Sequence, residues 1–322
     1  MKKKFFLKPL AFIFLVFTSC TDFFSIVDYD AIARQNNCLV FVSNKNFFLT
    51  ISGSIYDFTG FYYSTDLKNW NQVNEPSSII SKNNCIYLKG ISAWLDGRIS
   101  INISQKAKCY GNLKSLYDQA HERYNYSFYR LFYNCENLLK APDLPANCTE
   151  LNCVEMFYGC KNLQYPPKFP AEFTPNYSNY CNFTRMFYNC ESLLEAPELP
   201  SGVESINYYQ MFSGCKKLKK APELNDTKAT EYQYAFMFEN CTSLKELPVL
   251  SAIEIDPSSY AGMFRNCTNI KLGTEDAGKG FWKLPDNANN YTTETSSYIP
   301  MFSGTGGDFT GFPIPGTTYY YQ

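Results

Sequence analysis

Met186-Phe187-Tyr188-Asn189-Cys190-Glu191-Ser192-Leu193, continued by Ala196-Pro197-Glu198-Leu199-Pro200, is one copy of a phrase that recurs down the chain. Its phenylalanine falls at positions 132, 157, 187, 212, 238 and 264, with a worn copy at 302. The intervals are 25, 30, 25, 26, 26 and 38 residues, so insertions are confined to two units. Columns line up on either side of it. Four positions before the phenylalanine stand Phe128, Cys153, Phe183, Tyr208, Tyr234, Tyr260 and Tyr298. One position before it stands Leu131 and then methionine six times, and six positions after it Leu138, Leu163, Leu193, Leu218, Leu244 and Ile270. A unit of about 25 residues cannot bury its own apolar side, but stacked neighbours bury each other's. The pattern predicts a solenoid.

Within a unit, apolar side chains spaced by three and four share one face of a helix, so Tyr-x-x-Met-Phe is expected to form one or two helical turns. Pro142, Pro167, Pro197, Pro222 and Pro248 all lie ten residues after the phenylalanine. Proline donates no hydrogen bond, so each coil's strand should be short, roughly Leu-x-x-Ala, and end at that corner.

Column by column, these residues resemble the BspA-type leucine-rich repeats of bacterial surface proteins, over about residues 113–306. The resemblance implies surface display and binding of host or bacterial protein partners. The last unit departs from the pattern, with Thr305 where cysteine is expected.

The first nineteen residues read as an export signal. Lys2, Lys3, Lys4 and Lys8 form its positive end and Leu10 to Phe17 its apolar stretch, too short to span a bilayer. Phe17-Thr18-Ser19-Cys20 resembles the lipobox of bacterial lipoproteins, which implies lipidation of Cys20 and a stable hold on a membrane surface. The expected location is an exported, membrane-anchored chain exposed at the cell surface. Without this segment the basic residues number 25 against 30 acidic ones. That balance excludes the basic face nucleic-acid binding needs. One histidine, His121, in 322 residues leaves little with which to assemble a metal or acid–base centre, so neither enzyme chemistry nor a cofactor is expected.

Of thirteen cysteines, six form a column: Cys135, Cys160, Cys190, Cys215, Cys241 and Cys267. Equivalent residues on stacked rungs sit about 4.8 Å apart with parallel Cβ bonds. A disulfide needs Cβ atoms about 3.8 Å apart and turned toward each other. A ladder of buried free thiols is expected, and no CxxC pairing accompanies it to suggest a metal. Cys38 and Cys85, each after Asn-Asn at the start of an apolar run, could pair if those strands are neighbours.

Residues 38–104 carry a different rhythm. Arg98 to Ser104 alternates strictly, and Cys38–Ser43, Phe47–Ser52, Gly60–Ser64 and Cys85–Gly90 read as further short strands. Six or seven of these suggest a small β-sandwich. Tyr62 to Trp70 resembles the Tyr-Ser-x-Asp-x-Gly-x-x-Trp hairpin found ahead of such repeats, and also the Asp-box turn of sialidases. Its expected role is structural, with Asp66 bonding backbone amides and Trp70 plugging the sheet. The expected organisation is therefore a signal at 1–19, a tether at 20–31, a β-sandwich-like domain at 32–112, the repeat array at 113–306 and a tail or cap at 307–322. Glu122 to Tyr129 reads as a helix leading into the first repeat, and Gly111 to Leu116 as the cap on its apolar edge.

Columns seven, eight and eleven after the phenylalanine should project outward. The eighth carries Lys140, Tyr165, Glu195, Lys220 and Glu246, and the eleventh Asp143, Lys168, Glu198, Glu223 and Val249. A mixed-sign strip with an aromatic suits a protein partner. The aromatic-rich N-terminal domain offers a glycan as the alternative.

Overall fold

The computed structural model describes residues 27–53, 60–90, 99–117, 125–145, 150–169, 181–200, 206–288 and 299–322. Cys20, Arg98, His121 and Cys148 lie outside these segments.

Helix α1 (Tyr29–Asn36) opens with Asp28 capping the N–H of Ala31 and closes on Asn37, whose φ of 45° is left-handed. Eight strands follow before residue 112: β1 (Leu39–Ser43), β2 (Phe48–Ser52), β3 (Phe61–Ser64), β4 (Asn71–Val73), β5 (Ser77–Ile80), β6 (Cys85–Gly90), β7 (Ser100–Ile103) and β8 (Ala107–Tyr110). They form two antiparallel sets, β8-β1-β6-β3-β4 and β5-β2-β7. Leu49, Ile51, Ile79, Ile101 and Ile103 from the smaller set share one apolar cluster with Leu39, Phe41, Phe61, Ile86 and Leu88 from the larger. The opposite side of β1, through Val40 and Val42, is covered by Tyr29 and Ala33 of α1.

The larger sheet does not end at residue 112. Its outermost strand is β10 (Leu138–Lys140), which belongs to the first repeat and runs parallel to β8. The N–H groups of Ile101 and Leu113 bond the carbonyls of Leu131 and Asp143, so the segment 99–117 lies as a rung beneath the first coil. Leu113 and Leu116, in a single 3-10 turn, are buried there.

From that base the coils stack. Phe132, Phe157, Phe187, Phe212, Phe238, Phe264 and Phe302 form one internal row, ring on ring, with centroids 5.3 to 5.6 Å apart. Phe183, Tyr208, Tyr234 and Tyr260 make a second buried row.

The helix expected in each unit is absent; the one α-helix among the described residues is α1. Tyr-x-x-Met-Phe-x-x-Cys folds instead as consecutive β-turns, closed for example by Met186 N–H to Phe183 O and Cys190 N–H to Phe187 O. The alternate N–H groups leave the coil altogether. Those of Phe183, Arg185, Phe187 and Asn189 bond carbonyls of Asn207, Tyr209, Met211 and Ser213 in the next coil. A helix would have consumed these donors internally. Left-handed residues enforce the turns: Asn134, Gly159, Asn189, Gly214, Asn240, Asn266 and Gly304 all have positive φ two places after the phenylalanine. Asn and Gly are the residues that tolerate this region, as the third position of type II turns demands.

The most regular parallel ladder precedes the turns. It comprises β9 (Asn125–Ser127), β11 (Glu150–Asn152), β12 (Cys181–Asn182) and β13 (Ile206–Asn207), followed by the pair β14 (Lys228–Ala229) and β15 (Glu254–Ile255). Residues 125–127 are therefore strand, not the helix expected over 122–129. Asn152, Asn182 and Asn207 end these strands, each side chain accepting the N–H two residues on. The Leu-x-x-Ala strand expected after the turns is realised as β10 in the first unit. Further along it is reduced to single bridges, Lys140 with Tyr165, Lys220 with Glu246, and Leu224 with Leu250.

At the far end the chain folds back. Strand β18 (Tyr319–Tyr321) pairs with β16 (Leu272–Gly273) and β17 (Phe281–Trp282), and Trp282 and Phe309 close over Phe302. The last residues thus cover the terminal coil rather than trail from it.

Candidate functional site

The thiol column lies inside the array. All six of its cysteines are free and buried. Each of the last five donates to the carbonyl of the preceding unit's phenylalanine, at 2.9 to 3.2 Å. The thiols therefore bond along the stack to backbone, not to one another. Desolvation pushes Cys135 and Cys267 up to about 12 and Cys160, Cys190 and Cys241 well above their ordinary value. Cys38 and Cys85 are free as well. Antiparallel register sets Val42 opposite Cys85, so Cys38, which precedes β1 and lies four residues before Val42, is about 13 Å away along the strand direction. Among the described residues no cluster of His, Cys, Asp and Glu is arranged to hold a metal ion.

Two outcomes follow from the raised thiols. Between the unfolded value near 9 and the folded values near 12, the unfolded chain binds fewer protons than the folded one, so stability falls as pH rises. The urea midpoint is expected to drop between about pH 8 and about pH 10.5, and a flat midpoint would refute the assignment. At about pH 8, a thiol reagent should spare the six column cysteines until the chain is unfolded, because buried thiols present no thiolate.

The Asp-box-like hairpin is β3, its turn and β4. Asp66 accepts the N–H groups of Asn69 and Lys68, which hold its carboxyl well below the usual carboxylate range. Trp70 packs against the α1 side of the sheet, with Lys89 Nζ 3.9 Å from its ring centre. The indole face is taken by a neighbour. The half-buried rings of Tyr133, Tyr158 and Tyr188 likewise spend their faces on each other, 4.8 and 4.9 Å apart.

The outward strip is divided in two. Lys140 is drawn toward α1, 3.8 Å from Asp30 and 4.4 Å from the centre of the Tyr110 ring. It belongs to the junction with the N-terminal sheets. Tyr165, Lys168, Glu195, Glu198, Lys220, Glu223 and Glu246 are all exposed, and Lys220 stands 3.9 Å from Glu246 across one rung. Leu194, Tyr165 and Val249 are exposed apolar residues on the same side. Between the third and fourth coils this surface hollows into a cleft of about 650 Å³. Its walls are Leu194 to Leu199 on one side and Lys219 to Glu223 with Asn225 on the other.

Sequence reasoning missed a second polar line, on the turn side. Glu155, nearly buried, takes Arg130 at 2.6 Å and Arg185 at 3.5 Å from the coils on either side. These residues stand two before the phenylalanine in left-handed conformation, a geometry that Arg and Glu do not advertise.

Residues 183–275 match the family model described as BspA type leucine rich repeat region, in six copies. No curated protein and no solved structure gives a significant match. Repeats of this type are commonly surface-associated protein-interaction modules. Among the described residues no helix is long and apolar enough to cross a membrane.

Proposed function

We propose that this chain is a lipid-anchored bacterial surface protein whose leucine-rich repeat solenoid binds protein partners, as in adhesion or host contact. In this reading the solenoid covers residues 113–306 and stands on a β-sandwich-like base. Cys20 carries the lipid, which places the base at the membrane and the array away from it. The observation that carries the binding role is the exposed strip from Tyr165 to Glu246, where charges of both signs accompany exposed Leu194 and Val249 and a hollow opens between Leu194–Leu199 and Lys219–Glu223. Rims of mixed charge around apolar contacts are how protein interfaces are built.

Charge reversal of Glu195, Lys220 and Glu246 in one chain tests it, with capture of purified surface proteins as the readout. Capture should fall about tenfold or more, the effect of losing roughly 1.4 kcal/mol of contact. Unchanged capture would discard the strip. Anchorage is tested separately by fatty-acid labelling of cells, where Cys20→Ala should abolish incorporation and leave the folded chain in the soluble fraction.

A further inference from the structure

Column equivalence shows which main-chain bonds each pair of rungs should make on the strip side. Between the first two coils, Ala141 N–H bonds Tyr165 O, Leu144 N–H bonds Lys168 O, and the N–H of Tyr165 returns to Leu139 O. Between the fourth and fifth, Ala221 N–H bonds Glu246 O and Glu246 N–H bonds Lys219 O. The corresponding set between the third and fourth coils would be Ala196 N–H to Lys220 O, Leu199 N–H to Glu223 O, and Lys220 N–H to Leu194 O. None of the three forms, and no other main-chain bond joins 194–200 to 219–225 among the described residues. The coils have not come apart as a whole. Phe187 and Phe212 stack at 5.4 Å, and Cys215 Sγ reaches Phe187 O at 3.2 Å on the turn side. The array is shut along one side and open along the other at this seam, and the opening is the cleft described above.

The seam between the second and third coils is also sparse, but there Pro166 stands where the donor would be. Between the third and fourth coils the donors exist and are unused. Backbone groups left over at a sheet edge are a template for another extended chain. The floor supplies Ala196, Pro197, Ala221 and Pro222, small or flat residues that let a backbone approach. Charge sets the rest. Glu195, Glu198 and Glu223 line the cleft, Lys220 is offset by Glu246, and Lys219 is the one remaining cation of the walls.

We propose that this seam receives an extended, basic segment of a partner polypeptide, which pairs its main chain with the open rung and directs Lys or Arg side chains to Glu195 and Glu198. A rung of six residues matches a bound segment of similar length, about 20 Å. This rests on the protein-binding reading above and narrows it to one place and one mode.

The probe is a fluorescent, acetylated and amidated hexapeptide alternating valine with lysine, titrated into the full mature chain by anisotropy. Saturable binding is expected. Replacing its lysines by glutamates should weaken it about tenfold or more, as should N-methylation of alternate amides. In the protein, the double variant E195K/E198K and the separate variant Ala196→Pro, which removes one open donor, should each weaken binding about tenfold, with the urea midpoint confirming that each is folded. Absence of saturable binding, or equal binding by the N-methylated peptide or by both folded variants, would overturn the proposal. A capture experiment in which only Lys220 and Glu246 are reversed, with Glu195 left intact, separates the two ideas. If capture depends on the strip while the peptide results fail, the seam is wrong and the surface reading stands.

Discussion

Phe187→Ala is expected to lower the unfolding free energy by about 3–5 kcal/mol and to break the single urea transition into two. The side chain is fully buried and lies between Phe157 at 5.6 Å and Phe212 at 5.4 Å. Collapse around the lost ring is blocked because the backbone on both sides is pinned coil to coil, Phe187 N–H to Met211 O and Phe157 N–H to Met186 O. The space therefore persists as a cavity, the costly outcome for a large-to-small change. Stability in a stacked array is a chain of nearest-neighbour terms, and a residue in the middle belongs to two of them. The control is Val249→Ala, at 65% exposure, which should shift stability by about 0.5 kcal/mol or less. A loss under about 1 kcal/mol at Phe187 would mean that the ring row is not what holds the coils together.

Trp282→Ala should cost about as much, 3–5 kcal/mol, but spend it at one end. Trp282 is 5% exposed, meets Phe302 edge-on at 5.4 Å, and donates its indole N–H to Pro248 O at 2.9 Å. It closes one side of the last described coil, together with Phe309 and Tyr319. Its removal uncovers Phe302 and leaves a buried carbonyl without its donor. In hydrogen exchange, amides of Phe264, Asn266 and Phe302 should lose protection, while Phe132 and Phe157 keep theirs. Uniform loss along the whole array would contradict the one-dimensional picture; no loss would remove the cap role of the C-terminal strand.

The comparison between these two positions also shows what was legible in the primary structure. The ring row, the thiol column and the buried leucines each repeat at the coil period, and period alone says that such residues lie above one another. Trp282 belongs to no column, and nothing in Phe281-Trp282 announces that residues 319–321 will return to pair with it. Caps are made once, so repetition carries no information about them.

The turns are hidden for a different reason. Spacings of three and four fit a helix, but they also fit a chain that doubles back every few residues. The column that distinguishes the two, Asn or Gly at 134, 159, 189, 214, 240, 266 and 304, was in plain view. Its message concerns φ rather than polarity, and a reading based on apolar periodicity passes over it. The strip was half legible. Outward columns follow from inward ones, yet Lys140 was lost to Asp30 and Tyr110, partners more than a hundred and about thirty residues away.

Primary structure alone was enough for the vertical row of phenylalanines and the apolar columns buried beside it, because each follows from a repeat length and a local geometry. Only the folded molecule decided where the rungs close and where they open, that the first repeat continues the N-terminal sheet, and how the ends are covered. Those features depend on main-chain groups, identical in every residue, finding or missing partners far away in the chain. No side-chain pattern encodes that choice.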